Sequence, residues 1–252
     1  MTHGLLSIGV AGALGPAAIA ELAPAVEEAG LHALWVNDTP DGDALAALAA
    51  AASVTSTLTL ATGVVPVDRW SAEQIADRVR DLPQERVVLG IGSGAARAGA
   101  LQRVREAVGA LRDSTTARIL VGALGPKMRA LATAGAYGPL LSWLTPDAAA
   151  RQAGEAYAAG GYAALYVRTA LDDAARGRLR EEAARYASYP NYAANFARLG
   201  FAADDTVLDP GTFRDGIRRY RSAVDEVVLR AIVPGDGVGD YRRFVAEAVS
   251  AV

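Results

Sequence analysis

The strongest constraint on the fold is an alternation that repeats eight times along the 252 residues. Short β-branched or apolar runs alternate with longer segments that are rich in Ala, Glu and Arg and have helical periodicity. The run Arg86–Ile91 is apolar at nearly every position, which is typical of parallel strands covered on both faces. The pattern predicts strands at Leu5–Val10, Ala33–Asn37, Leu58–Val65, Arg86–Ile91, Arg118–Val121, Leu140–Leu144, Ala163–Arg168 and Glu226–Val233.

Eight β/α units can form a closed barrel or an open doubly wound sheet. The count of eight favours a (β/α)₈ TIM barrel, which typically needs about 250 residues. No linker or composition break divides the chain, so we expect one domain over residues 1–252. In both arrangements the chemistry is expected where the carboxyl ends of the strands meet the following loops.

Composition narrows the functional class. The net charge of −3 offers no basic field for nucleic acid. Cysteine is absent and the two histidines, His3 and His32, disfavour a zinc or non-haem iron site. No apolar run approaches the roughly 20 residues that span a bilayer, and the N-terminus has no basic leader. We therefore expect a cytoplasmic protein that acts on a small molecule, without a metal, nucleic acid or membrane partner.

Two charged residues follow predicted strands two and three. Asp38 fits a ligand contact or a base, and equally a cap before the turn sequence 39–42. Gly63 inside strand three indicates a bulge or a close backbone approach. Arg69 would stand on the top rim, available to an anion, although a solvated capping role is the alternative.

Glycine-rich segments follow strands four and five. Gly92-Ser93-Gly94 lets the backbone approach a ring or phosphate, whereas a dinucleotide fingerprint is disfavoured because strand five does not end in an acid. Gly125-Pro126-Lys127 opens a helix whose free N–H groups favour an anion. Lys127 is the only lysine in the chain. Binding of a phosphate or carboxylate is favoured there over a Schiff-base role.

Strands six and seven end in side chains that fit a substrate pocket. Trp143 is suited to wall such a pocket or simply to pack in the core. Tyr166 and Arg168 are positioned to meet substrate, or Arg168 neutralises a nearby carboxylate. His32 lies at the opposite face of the barrel, and no side chain is identified as catalytic.

The chain resembles the luciferase-like monooxygenase superfamily, and especially its branch of oxidoreductases that use the deazaflavin coenzyme F420. The resemblance implies a barrel that binds F420 or the flavin FMN, hydride transfer between that ring and a small organic substrate, and a homodimer. It is carried by Ala33–Asp38, Leu60–Arg69, Arg86–Gly94, Ala123–Met128, Leu140–Pro146 and Tyr189–Phe201.

The resemblance also implies roles for individual residues. Asp38 would contact the ring region, and Trp143 would shape the ring or substrate pocket. The bulge at Thr62, Gly63 and Val64 would hold a non-proline cis peptide behind the ring. The ribityl chain and phosphate would be held by Gly92, Ser93, Gly94, Ala123, Leu124, Gly125, Pro126 and Lys127.

Two departures from the family pattern leave alternatives open. Residues 95–117 hold little more than one helix, where relatives carry a long insertion. Thr39 and Ala95 replace the His and Glu of sugar-phosphate-oxidising relatives, which disfavours that reaction. A barrel that has lost its cofactor and only binds, and a phosphate-handling lyase or isomerase that uses Lys127, are the alternative hypotheses.

Overall fold

Eight parallel strands form the centre of the protein, and a computed structural model describes residues 4–95 and 98–252. The strands pair in chain order, and the pairing of the last strand with the first closes the barrel. The predicted TIM-barrel fold is therefore confirmed. The strands are β1 (Leu5–Ala11), β2 (Ala33–Asn37), β3 (Thr59–Pro66), β4 (Val87–Gly92), β5 (Arg118–Gly122), β6 (Gly138–Ser142), β7 (Ala164–Thr169) and β8 (Glu226–Ala231).

Helices cover the outside of the barrel. Pro16, Pro126 and Pro146 each occupy the first turn of a helix, where a missing N–H group breaks no hydrogen bond. The described helices are α1 (Pro16–Glu28), α2 (Ala44–Ala52), α3 (Ala72–Val79), α4 (Ala100–Ser114), α5 (Pro126–Gly135), α6 (Pro146–Tyr157), α7 (Arg176–Ser188), α8 (Pro190–Leu199), α9 (Phe213–Arg221) and α10 (Val238–Ser250).

The connections differ from one β/α unit to the next. Between β4 and β5, α4 is the one helix within the described residues. The crossover from β7 to β8 instead carries α7, α8 and α9. His3 lies outside the described residues. Strand β6 ends two residues earlier than predicted because Trp143 takes a left-handed backbone conformation, with φ of 57°.

Two layers of apolar packing support the barrel. Between strands and helices, buried aliphatic side chains alternate with many alanines, which let the helices pack closely against the sheet. Inside the barrel, Trp35 from β2 and Tyr166 from β7 meet edge to face with ring centroids 5.8 Å apart. Edge-to-face pairs add about 0.5–1.5 kcal/mol beyond the burial of their surface.

A buried carboxylate closes the lower barrel interior. Glu226 on β8 is 2% exposed. It accepts hydrogen bonds from the side chains of Ser7, Trp35 and Tyr162, the last two at 2.7 and 2.9 Å. Because its oxygens are satisfied, this network fixes Trp35 and, through it, the position of Tyr166 under the carboxyl ends of the strands.

Candidate functional site

A cleft of about 860 Å³ opens at the carboxyl ends of the strands. Loops after β2, β4 and β5 form one side, and α7 and α8 form the other. Eleven of the predicted site residues line it: Asp38, Gly63, Val64, Gly92, Ser93, Gly94, Ala123, Leu124, Gly125, Tyr166 and Arg168. Thr62, Arg69, Pro126, Lys127 and Trp143 do not.

Backbone of β3 and β4 forms one edge of the cleft. The Gly63–Val64 peptide bond is cis, at the position that the family resemblance implies. A Cβ on Gly90 would lie 1.9 Å from the carbonyl oxygen of Thr62, and one on Gly92 would lie 2.6 Å from Val64. These two glycines are therefore needed so that β4 can pack against the β3 bulge. The hydroxyl of Thr62 points into the sheet, donating to the Gly90 carbonyl at 3.0 Å.

The loop after β4 is fixed by a carboxylate. Gly94 has φ of 68°, and a Cβ there would collide with the carboxyl group of Asp68. One oxygen of Asp68 accepts the backbone N–H of Ala95 at 2.8 Å. This contact holds Ser93 and Gly94 at the edge of the cleft.

Asp38 lines the cleft, but the protein itself uses both of its oxygens. One accepts the backbone N–H of Ala44 at 3.0 Å at the start of α2, whose N-cap residue is Asp43. The other accepts from the indole of Trp70 at 3.0 Å and from Arg69. Arg69 pairs with Asp38 and is not among the residues that line the cleft, so its contact with an anionic ligand stays a prediction beside the capping alternative.

The side chain of Lys127 lies outside the cleft. It is the second residue of α5 and lines a separate groove between α4 and α5. The expected point charge at the ligand is therefore not supplied by this residue, since its direction is set by the helix. The loop before α5 does line the cleft through Ala123, Leu124 and Gly125. Pro126 is the first residue of α5 and stands behind that loop.

A guanidinium packed against two aromatic rings forms the wall on the β7 side. The Arg168 group lies 4.1 Å from the ring centroid of Trp143 and 4.8 Å from that of Tyr186. It also donates to Ser142 and, at 3.3 Å, to Glu182. Trp143 is 1% exposed and lies behind these groups. It supports Arg168 and Tyr186 and does not wall the cleft directly.

Glu182 is ionised although it is largely buried. Burial raises the pKa of its carboxyl group, but the positive charges of Arg230, Arg168 and Arg185, together with the hydrogen bond from Arg168, outweigh this effect and lower the pKa overall. Residue Arg230 at the end of β8 also lines the cleft. The β7–β8 side is therefore strongly charged at neutral pH.

Four buried polar atoms that line the cleft have no hydrogen-bond partner within the described part of the chain. They are Asn37 Oδ1, Thr39 Oγ1, the Tyr166 hydroxyl and Asn195 Nδ2. Burial raises the pKa of Tyr166, so its hydroxyl stays protonated and can donate. A buried polar group without a partner costs about 1–3 kcal/mol. The cleft therefore offers both donors and acceptors to a ligand.

Sequence reasoning did not assign the α7–α8 wall to the site. Asn195 is 5% exposed and its carbonyl oxygen accepts from Arg198. The aromatic rings of Tyr186 and Tyr192 lie 5.0 Å apart at 90° on the same side. Helices α7 and α8 belong to the long crossover after β7, so the positions of their side chains depend on packing. Asn37 was easier to predict as a site residue, because it is the last residue of β2.

Across residues 4–95 and 98–252, His, Cys, Asp and Glu side chains are nowhere grouped in threes as metal ligands. In the same residues, none of the helices combines the length and apolar character needed to cross a bilayer.

Comparisons with known proteins agree with this geometry. Residues 3–117 match the family model described as luciferase-like monooxygenase. The coenzyme F420-dependent tetrahydromethanopterin reductase from Methanopyrus kandleri is 16% identical with a TM-score of 0.75, covering 100% of this chain and 99% of the reductase.

Two other solved structures are similar. An F420-dependent secondary alcohol dehydrogenase in complex with an F420–acetone adduct is 16% identical, has a TM-score of 0.74 and covers 98% of this chain and 99% of its own. The monooxygenase RslO1 from Streptomyces bottropensis is 18% identical, with a TM-score of 0.70 and 98% coverage of both chains. At these identities the likeness concerns the fold. No curated protein matches the sequence.

Proposed function

We propose that the chain is an oxidoreductase of the luciferase-like monooxygenase family, whose model matches residues 3–117, and that it binds coenzyme F420, or alternatively FMN, in the cleft above β3, β4 and β5. The main support for this proposal is that glycine-rich backbone lines one edge of the cleft. Four buried polar atoms of residues that line the same cleft have no hydrogen-bond partner within residues 4–95 and 98–252. When bound, the ring of the coenzyme gives or takes the hydride, and the protein supplies binding and orientation.

The ring fits between the Val64 edge and the α7–α8 wall. Flavin and deazaflavin rings present carbonyl acceptors and an N–H donor along one edge. Asn37 Oδ1 is suited to accept from such an N–H group, and the hydroxyl groups of Thr39 and Tyr166 can donate to carbonyl oxygens. Asn37 is itself held by donation from its Nδ2 to the Gly63 carbonyl.

The phosphate end fits the loops after β4 and β5. Backbone of Ser93, Gly94 and Gly125 lines that side of the cleft. The start of α5 presents the positive end of the helix dipole, which favours an anion. Gly125 has no atom within 4 Å of the place where a Cβ would stand, so this approach is open.

Arg198 takes the role that the sequence suggested for Lys127. It lines the cleft from α8. The pKa of Glu155 on α6 is lowered chiefly by its hydrogen bond with Arg129, and the charge of Arg198 contributes. Arg129 in turn lies on α5 and donates to the Leu124 carbonyl at 3.5 Å. We propose that Arg198 reaches from the α8 wall across the cleft toward the loop before α5, where the coenzyme phosphate is placed.

Fluorescence titration tests the proposed function. Purified protein titrated with F420 and with FMN should quench the fluorescence of at least one of them, with saturation at one equivalent per chain. Absence of saturable quenching with either coenzyme would refute the proposal. Because the side chain of Lys127 lies elsewhere, we propose no Schiff-base chemistry in this cleft.

A pair of matched variants tests the phosphate contact. Arg198→Gln should weaken binding of FMN about ten-fold or more, the loss expected for one charge-assisted hydrogen bond. It should leave riboflavin, which has no phosphate, nearly unchanged. Lys127→Met serves as the control and should leave both affinities unchanged. The reverse result, with Lys127→Met weakening FMN alone, would contradict the placement of the phosphate next to Arg198.

A further inference from the structure

The β7–β8 side of the cleft carries a cluster of arginines that the proposed coenzyme does not use. Arg168 and Arg230 are partners in the register of these two neighbouring strands, so their side chains project from the same level of the barrel. Both line the cleft, and Arg185 joins them from α7. We call these three residues the arginine cluster.

The cluster has an excess of positive charge. Glu182 is the one acidic residue that lines the cleft beside it, and it pairs with Arg168 at 3.3 Å and with Arg185 at 3.7 Å. Asp38, the other acid in the lining, is already paired with Arg69. A cluster of three cations and one carboxylate stands out in a chain whose net charge is −3.

Arg230 is the member that is available to a ligand. Arg168 is held by two aromatic rings, Ser142 and Glu182. Arg230 donates to the carbonyl of Ala231, and no carboxylate of residues 4–95 and 98–252 forms an ion pair with it. Arginine presents five donors in a planar fork, which matches the two oxygens of a carboxylate.

The topology separates this cluster from the coenzyme phosphate. In the closed ring of eight strands, β4 lies opposite β8. A phosphate at the loops after β4 and β5 therefore lies across the mouth of the barrel from Arg230. Tyr166 lines the cleft from β7, and its hydroxyl has no hydrogen-bond partner among residues 4–95 and 98–252.

We propose that the substrate is a small organic acid whose carboxylate is bound by Arg230 and Arg185, with Tyr186 and Tyr192 against its apolar part. This inference rests on the proposed function, since it names the substrate class of the same cleft. The carboxylate lies on the β8 side, so that the rest of the substrate reaches toward the ring above β3 and β4. Glu182 pairs with Arg168 and Arg185, and Arg230 has no ion pair with a carboxylate among residues 4–95 and 98–252.

The experiment compares acids with their neutral amides on coenzyme-loaded protein. Benzoate and succinate are titrated beside benzamide and succinamide by isothermal titration calorimetry. Wild-type protein should bind at least one acid ten-fold or more tightly than its amide. Arg230→Gln should abolish that preference, and Arg230→Lys should keep part of it because the charge remains. Arg180→Gln, an exposed residue on the same α7, should keep it fully.

The outcomes separate this inference from the proposed function. If the coenzyme binds but neither acid is preferred over its amide, or the preference survives in Arg230→Gln, the inference is overturned and the proposed function stands. If Arg230→Gln weakens FMN but not riboflavin, the arginine serves the coenzyme's own phosphate and the inference is again overturned. If neither coenzyme binds wild-type protein, both fail. Should Arg230→Gln not fold, Arg185→Gln and Arg230→Lys decide by the same ratio.

Discussion

Replacement of Gly63 by alanine should create a steric clash with Tyr166 at the floor of the cleft. A methyl group at this position would lie 2.2 Å from the Tyr166 hydroxyl oxygen and 2.6 and 2.7 Å from two of its ring carbons. Ordinary contacts between such atoms are about 3.5–4.0 Å, so Tyr166 would have to move by more than about 1 Å. Its ring cannot retreat freely, because Trp35 packs against it and a Cβ on Gly9 would already lie 2.8 Å away.

We expect Gly63→Ala to lower the free energy of unfolding by about 2–3 kcal/mol, the upper part of the range for overpacked cores. For a chain of this size each kcal/mol corresponds to about 2–4 °C in Tm. The predicted decrease in Tm is therefore about 4–12 °C. It is measured by thermal unfolding followed by circular dichroism, and coenzyme quenching should weaken in parallel.

A double-mutant cycle identifies the clashing partner. Tyr166→Ala alone should cost about 3–5 kcal/mol as a large-to-small core change. In that background Gly63→Ala should cost almost nothing, because the methyl group enters the vacated space. Gly109→Ala, in an exposed turn of α4 with open space around it, is the control and should stabilise by about 0.5–1 kcal/mol. Costs at residues 63 and 166 that add within about 0.5 kcal/mol would refute the reasoning.

Two further predictions concern carboxylates. Glu182→Gln should lower the free energy of unfolding by about 3–5 kcal/mol in urea denaturation, because Arg168, which is 7% exposed, loses its buried partner. The control Glu181→Gln changes an exposed residue and should alter the free energy of unfolding by less than about 0.5 kcal/mol. An equal effect of both substitutions would contradict the ion-pair argument. Glu27 accepts backbone N–H groups of residues 56–58, with that of Thr57 contributing most, and its pKa is lowered from 4.5 to about 2. Because the folded-state pKa is the lower one, this stabilisation is complete above about pH 4.5 and is lost as the pH falls toward 2. The stability difference between wild type and Glu27→Gln should shrink over that interval, and a difference independent of pH would disprove the assignment.

Much of the fold could be predicted from the sequence because it depends on local patterns. Apolar runs covered on both faces have few alternatives to parallel strands, and Pro126 and Pro146 mark helix starts through a constraint on their own backbone. The end of β6 was harder to predict from the sequence. Trp143 continues the apolar run, but it adopts a left-handed backbone conformation that ends the strand. A residue of this type rarely does so, and composition carries no sign of it.

The candidate site was predicted where backbone geometry decides and missed where side-chain direction decides. Gly63, Gly92 and Gly125 lie on strand ends or on loops directly after them, so the topology alone brings them to the cleft. Lys127 lies outside the cleft because the direction of its side chain is set by α5, and Arg198 lines the cleft from α8, which is placed by long-range packing. Only three-dimensional contacts show that Arg198 lines the cleft and that Lys127 does not.

The most direct measurement of the central claim is a crystal structure of the protein with F420 or FMN bound. We expect the coenzyme ring to lie between Val64 and the α7–α8 wall and to form hydrogen bonds with Asn37 and Tyr166. The phosphate should lie at the first turn of α5 within reach of Arg198, and Arg230 should remain open to substrate. A coenzyme bound in the reverse direction, with its phosphate on Arg230, or bound outside the cleft, would contradict the account.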